Sequence, residues 1–109
     1  MSQPGLFMEL TATYRKHGWE LRRALLQPAT RAELTTQNLL DNVLVIDSEV
    51  DALWFSRPSH NNREAWELRL LAQTPYALFE TFEAEETEAE RDDVKLEMEA
   101  RMREYAANR

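Results

Sequence analysis

The spacing of apolar residues changes period several times along this chain, and each change marks an element. Between residues 4 and 17, Phe7, Leu10 and Tyr14 recur at i, i+3 and i+7 with Leu6 beside them, which is one face of a helix. Arg15, Lys16 and His17 occupy its last turn, where cations meet the negative end of the helix dipole. Gly18 suits the left-handed position that follows. The period then drops to two. In "WELRRALLQ", residues 19–27, Trp19, Leu21, Arg23 and Leu25 share one face of a strand while Glu20, Arg22, Ala24 and Leu26 share the other. Pro28 ends this strand, and Thr30 with Glu33 has the spacing of a capping box, predicting a short helix that fades near Asn38 to Asn42.

The strongest strand signal follows. Val43 to Ile46 is rich in β-branched residues and stops at the polar turn Asp47-Ser48-Glu49. Residues 51–57 form the next strand, with Leu53 and Phe55 on one side and Ala52 and Trp54 on the other. Apolar residues on both sides predict an interior strand covered on both faces, or one face held for a partner. "PSHNNR" is turn chemistry, so residues 51–57 and 64–72 are expected to form a hairpin. Residues 75–83 fit either a third meander strand or the start of a long helix. Thr87 and Glu90 make a fresh capping box, which would be redundant inside a running helix, so the strand is the expectation. From residue 88 a helix carries the stripe Val94, Met98, Met102 and Tyr105, with Glu97–Arg101 and Glu99–Arg103 at i, i+4. The Met-containing stripe is read as a packing face rather than a cofactor site. The sum is one α+β domain over residues 1–109: a mainly antiparallel sheet of four to five strands with an N-terminal helix, a short middle helix and a long C-terminal helix packed on one face.

A short echo crosses this pattern. Trp19-Glu20-Leu21-Arg22 returns as Trp66-Glu67-Leu68-Arg69, with Pro28 and Pro75 each nine residues after the tryptophan. If both copies are strands paired antiparallel with Leu21 opposite Leu68, Glu20 faces Arg69 and Arg22 faces Glu67, complementary on both counts.

Charge narrows the function classes. The net charge is −7, distributed as about +2 over residues 1–40, −4 over 41–82 and −5 over 83–109. An acidic chain repels phosphate backbones at long range, and the basic set Arg15, Lys16, Arg22, Arg23 and Arg31 falls short of a stripe interleaved with aromatics, so no nucleic-acid role is expected. Cysteine is absent, which removes disulfides and thiolate chemistry. No stretch approaches the roughly 20 apolar residues of a membrane span, and no leader is evident at the N-terminus, so the expected location is cytoplasmic. With glycines only at 5 and 18 a phosphate-cradling loop has no material. Ser56, Ser59 and His60 lack a nucleophile elbow, and Asp47, Glu49 and Asp51 lack the glycine and terminal glutamate of a calcium loop. No catalytic residue, cofactor or metal is therefore predicted.

Aromatic and apolar surface remains. Three tryptophans, with Phe55, Phe79 and Phe82, are more bulk than one face of a small sheet readily hides. The expected role is a non-enzymatic interaction or assembly module forming a homodimer, with Trp54, Phe55, Trp66, Arg57, His60 and Arg69 as the candidate interface or pocket residues. A different class is a small-molecule-binding or catalytic domain with an aromatic pocket near Trp54 and Trp66. Small size, low pI and a mixed sheet with a terminal helix are also loosely similar to secretion chaperones, an analogy of class that makes an acidic chaperone-like protein the third expectation.

Overall fold

A computed structural model describes residues 2–108. Its elements are α1 (Gln3–Lys16), β1 (Glu20–Leu26), α2 (Pro28–Thr36), β2 (Leu44–Asp47), β3 (Ala52–Pro58), β4 (Glu64–Leu70), β5 (Ala77–Phe82) and α3 (Glu88–Ala107), with a short 3-10 turn at His60–Asn62. This is an α+β fold with the predicted order of elements, and residues 77–82 are a strand. The sheet runs β2-β1-β3-β4-β5, parallel between β1 and β2 and antiparallel elsewhere. The parallel pair follows from α2, since two parallel strands need a crossover connection and the helix supplies it. No described helix is long and apolar enough to cross a membrane.

β3 is central, and its alternation builds two cores. Ala52 and Trp54 face α3, joined there by Leu68, Leu70, Phe82, Met98 and Met102; Leu53 and Phe55 face α1 and α2, joined by Phe7, Leu10, Ala24 and Leu34. The apolar residues on both sides of β3 thus reflect helices on both sides of the sheet. On α3 the stripe Val94, Met98, Met102 and Tyr105 packs inward as the spacing predicts, and the Thr87–Glu90 capping box closes with both of its hydrogen bonds. Glu99 departs from its expected pairing with Arg103: it is buried and accepts a 2.8 Å hydrogen bond from the Trp54 indole. Gly18 takes φ +86° directly after α1, as the helix ending requires.

Three expectations are corrected. The first concerns β1. Leu21 lies opposite Phe55 but Arg23 lies opposite Trp54, so Arg22 is an extra residue in a β-bulge. Because side chains alternate with period two, that one residue exchanges the faces of everything before it. Trp19 and Leu21 therefore join Ala24 and Leu26 on the α1 side, while Leu25 packs on the α3 side. The bulged Arg22 donates through Nε to buried Ser56 Oγ at 2.8 Å.

The second correction concerns the echo. β1 and β4 do not pair; each is antiparallel to β3, which lies between them. Leu21 and Leu68 face opposite sides of the sheet, Glu20 pairs with Arg22 at 3.7 Å, and Glu67 accepts from the Tyr14 hydroxyl. The two copies share strand chemistry without sharing a contact.

The third correction is the start of α2. The helix begins at Pro28 with Gln27 as its cap, three residues before the expected cap Thr30. The displaced role goes to Asp51, whose buried carboxylate accepts from the Gln27 backbone N–H at 2.8 Å, Gln27 Nε2 at 3.2 Å, Thr30 Oγ1 at 2.7 Å and Gln3 Nε2 at 3.2 Å. One carboxylate thereby ties the entrances of α1, α2 and β3 together. Of its sequence neighbours, Asp47 pairs with Arg31 at 2.7 Å and Glu49 is exposed, so the three carboxylates diverge.

Candidate functional site

The helices leave part of the α1 side of the sheet open. α1 lays Phe7, Leu10 and Tyr14 over β1 and β3 and stops at Lys16, and the chain turns at Gly18 before β1 begins. β4 and β5 extend beyond that cover, and the residues they present there are Glu67, Arg69, Ala77, Phe79 and Thr81. Phe79 is 57% exposed on edge strand β5.

Trp19 links the covered and open parts. Its ring meets Tyr14 edge-on at 6.1 Å and Phe79 edge-on at 6.3 Å, both within the separations at which aromatic pairs attract. The Arg57 guanidinium lies 4.6 Å above the Trp19 ring and donates through Nη1 to the His17 carbonyl at 2.9 Å. Arg57 thus satisfies a carbonyl at the end of α1 while placing its charge over an aromatic face. Two open clefts meet at His17 and Arg57: one of about 350 Å³ reaching Thr13, Tyr14 and Glu67, and one of about 560 Å³ reaching His60, Ala65 and Phe79. Together they form a trough with aromatic edges, a cation and two exposed imidazoles along its walls.

Tyr14 is the trough's buried anchor. Its ring stacks on Phe55 at 4.0 Å and its hydroxyl donates to Glu67. Burial, then the hydrogen bond to Glu67 and that carboxylate's charge, raise the Tyr14 pKa well above the ordinary tyrosine range. The folded protein therefore keeps a proton that the unfolded chain releases near pH 10, and this contribution to stability declines as pH rises past that value until Tyr14 ionises in the fold. Unfolding free energies from urea titrations at pH 9 to 11 are expected to fall by up to about 1 kcal/mol per pH unit from this group, and Tyr14→Phe is expected to flatten that fall.

The six residues singled out from sequence are divided by the fold. Trp54 and Phe55 are fully buried on opposite faces of β3, and Trp66 is buried on the α3 side, so these three are core. The Trp54 and Trp66 rings touch each other at 5.8 Å beneath α3, with Lys95 Nζ 3.5 Å from the Trp66 ring, so protein atoms fill the space expected for an aromatic pocket. Burial, with Arg23 nearby, lowers the Lys95 pKa. Arg57 and His60 do line the trough, and Arg69 lies half-buried on β4 with Nε donating to the Leu70 carbonyl at 3.2 Å. The residues sequence reasoning missed are Trp19, His17 and Phe79. The available signal for Phe79 was its place in the row Ala77, Phe79, Thr81, a single large apolar residue on an otherwise small and polar strand face. No protein-family model, curated protein or solved structure matches this chain.

Proposed function

We infer that the chain is a non-enzymatic protein-interaction module whose contact surface is the trough beside Trp19 together with the edge of β5. The observation that carries this reading is Phe79. A phenylalanine 57% exposed on an edge strand, set edge-on to Trp19 and beside an arginine, has the composition of an interface centre, where aromatics and arginine are enriched. An edge strand also offers unpaired backbone donors and acceptors, so a polypeptide can gain both backbone hydrogen bonds and an aromatic contact at this place. The rival reading, a small-molecule pocket near Trp54 and Trp66, is disfavoured because those rings are packed against each other and under α3.

The test is a photo-crosslinking amino acid placed at position 79 and, as control, at position 96. Leu96 is 62% exposed on α3, so both sites are equally accessible while only one belongs to the proposed surface. Illumination in the expressing cells is expected to give discrete protein adducts from position 79 and not from position 96. Adducts absent from position 79, or equal from both, overturn the reading.

A further inference from the structure

We propose that the partner of β5 is β5 of a second copy of this chain, paired antiparallel about a two-fold axis at Phe79. This deepens the interaction reading above and rests on it. The backbone supplies the first argument. Arg69 lies opposite Ala77, so Leu70 lies opposite Tyr76, and the Leu70 N–H donates to the Tyr76 carbonyl at 2.9 Å. Bonded and non-bonded pairs alternate along an antiparallel ladder, so Leu78, Glu80 and Phe82 spend their backbone groups on β4. Ala77, Phe79 and Thr81 turn theirs outward, away from the sheet.

Charge and size then select the register. With Phe79 opposite Phe79 of the second copy, Ala77 faces Thr81 and Leu78 faces Glu80. Five residues of each strand pair, and the outward groups of residues 77, 79 and 81 can form roughly six backbone hydrogen bonds. Shifting the axis to Glu80 sets Glu80 against Glu80 in the closer, non-bonded type of pair, where like charges repel. Shifting it to Leu78 leaves only residues 77–79 of each strand paired. The Phe79-centred register pairs five residues without setting like charges opposite each other, and it brings two Phe79 rings together with a Trp19 ring beside each. The opposite edge is less suited to self-pairing. β2 has four residues and ends in Asp47, which is held by Arg31 at 2.7 Å, and short strands with charges are the usual protection of an edge. The result is a continuous ten-stranded sheet with closed two-fold symmetry and both β5 edges consumed.

The chain has no cysteine, so introduced thiols report without background. Ala77→Cys and Thr81→Cys are prepared as separate full-length variants, and each alone and their equimolar mixture are oxidised mildly at about 0.15 M salt, where charge repulsion between acidic copies is screened. In the proposed register residue 77 lies within disulfide reach of residue 81 of the other copy, whereas two residues 77 are roughly 13 Å apart along the strands. The mixture is expected to yield cross-linked dimer at least ten-fold above either variant alone. Sedimentation is expected to give twice 12.8 kDa for the unmodified chain and for Leu44→Asp, and the single mass for Phe79→Asp. A dimer that survives Phe79→Asp, or one in which the mixture cross-links no better than the single variants, overturns the proposed pairing. A monomer at about 100 μM with photo-adducts from position 79 overturns self-pairing alone and leaves the interaction reading standing. A monomer without such adducts overturns both.

Discussion

Trp54→Ala is expected to lower the unfolding free energy by about 4 kcal/mol, read from the urea midpoint with the slope checked for two-state behaviour. Two losses combine. The side chain is fully buried in the centre of the α3-side core, so its removal deletes a large ring and leaves a cavity that a central strand, fixed by neighbours on both sides, cannot collapse. The indole N–H is also the donor to Glu99, and without it a buried carboxylate loses that partner. Trp54→Phe separates these effects, because it retains most of the ring and removes the donor; about 2 kcal/mol is expected for it. Since small domains have total stabilities of roughly 5–15 kcal/mol, the alanine variant removes a large share of the margin. If Trp54→Phe matched the wild-type midpoint, the Glu99 hydrogen bond would have no energetic weight.

The second large effect is expected at Asp51. Asp51→Ala removes the acceptor of four hydrogen bonds, leaving the buried Thr30 hydroxyl and the part-buried Gln27 backbone N–H without it, for a loss of about 3 kcal/mol. Asp51→Asn keeps the shape but replaces one accepting oxygen with a donor, so roughly half of that loss is expected. Hydrogen exchange would show where the loss falls: the Gln27 amide and those of the first turn of α2 should exchange faster in Asp51→Ala than those of β4, because the carboxylate holds Gln27, the residue that opens the helix, and Thr30 in place. Equal acceleration throughout would place the effect in global stability alone.

These two residues also show why part of the molecule could be read from its sequence and part could not. Local periodicity identified the helices and strands, and local turn chemistry placed the ends of α1 and α3, because those features depend on residues a few positions apart. The capping of α2 depends on a carboxylate 24 residues from Gln27, which no local pattern carries, so the nearby Thr30 spacing misdirected the reading. The partners of the strands are non-local in the same way. Trp19-Glu20-Leu21-Arg22 and its copy are each compatible with pairing to the other, and only the placement of β3 between them decides otherwise. Of the candidate residues named from the sequence, Arg57 and His60 line the trough proposed as the contact surface, whereas Trp54, Phe55 and Trp66 are core. Burial depends on which strand is central and which is an edge, and that put Trp54 in the core and left Phe79 outside it.

The bulge at Arg22 has a bearing on how this sequence can drift. Deleting Arg22 would make Leu21 and Arg23 ordinary alternating neighbours, leaving Trp19 and Leu21 on the α1 side beside Tyr14 and Phe79 and removing only the hydrogen bond to Ser56. One further inserted residue would also preserve their facing, because two surplus residues complete one period of the strand. The hairpin turn at residues 59–63 can also change length without altering which way the residues of either strand face, since it lies outside the ladder. What the fold does not absorb at the bulge is its loss at unchanged length, since drawing Arg22 into the ladder would turn Trp19 and Leu21 toward α3.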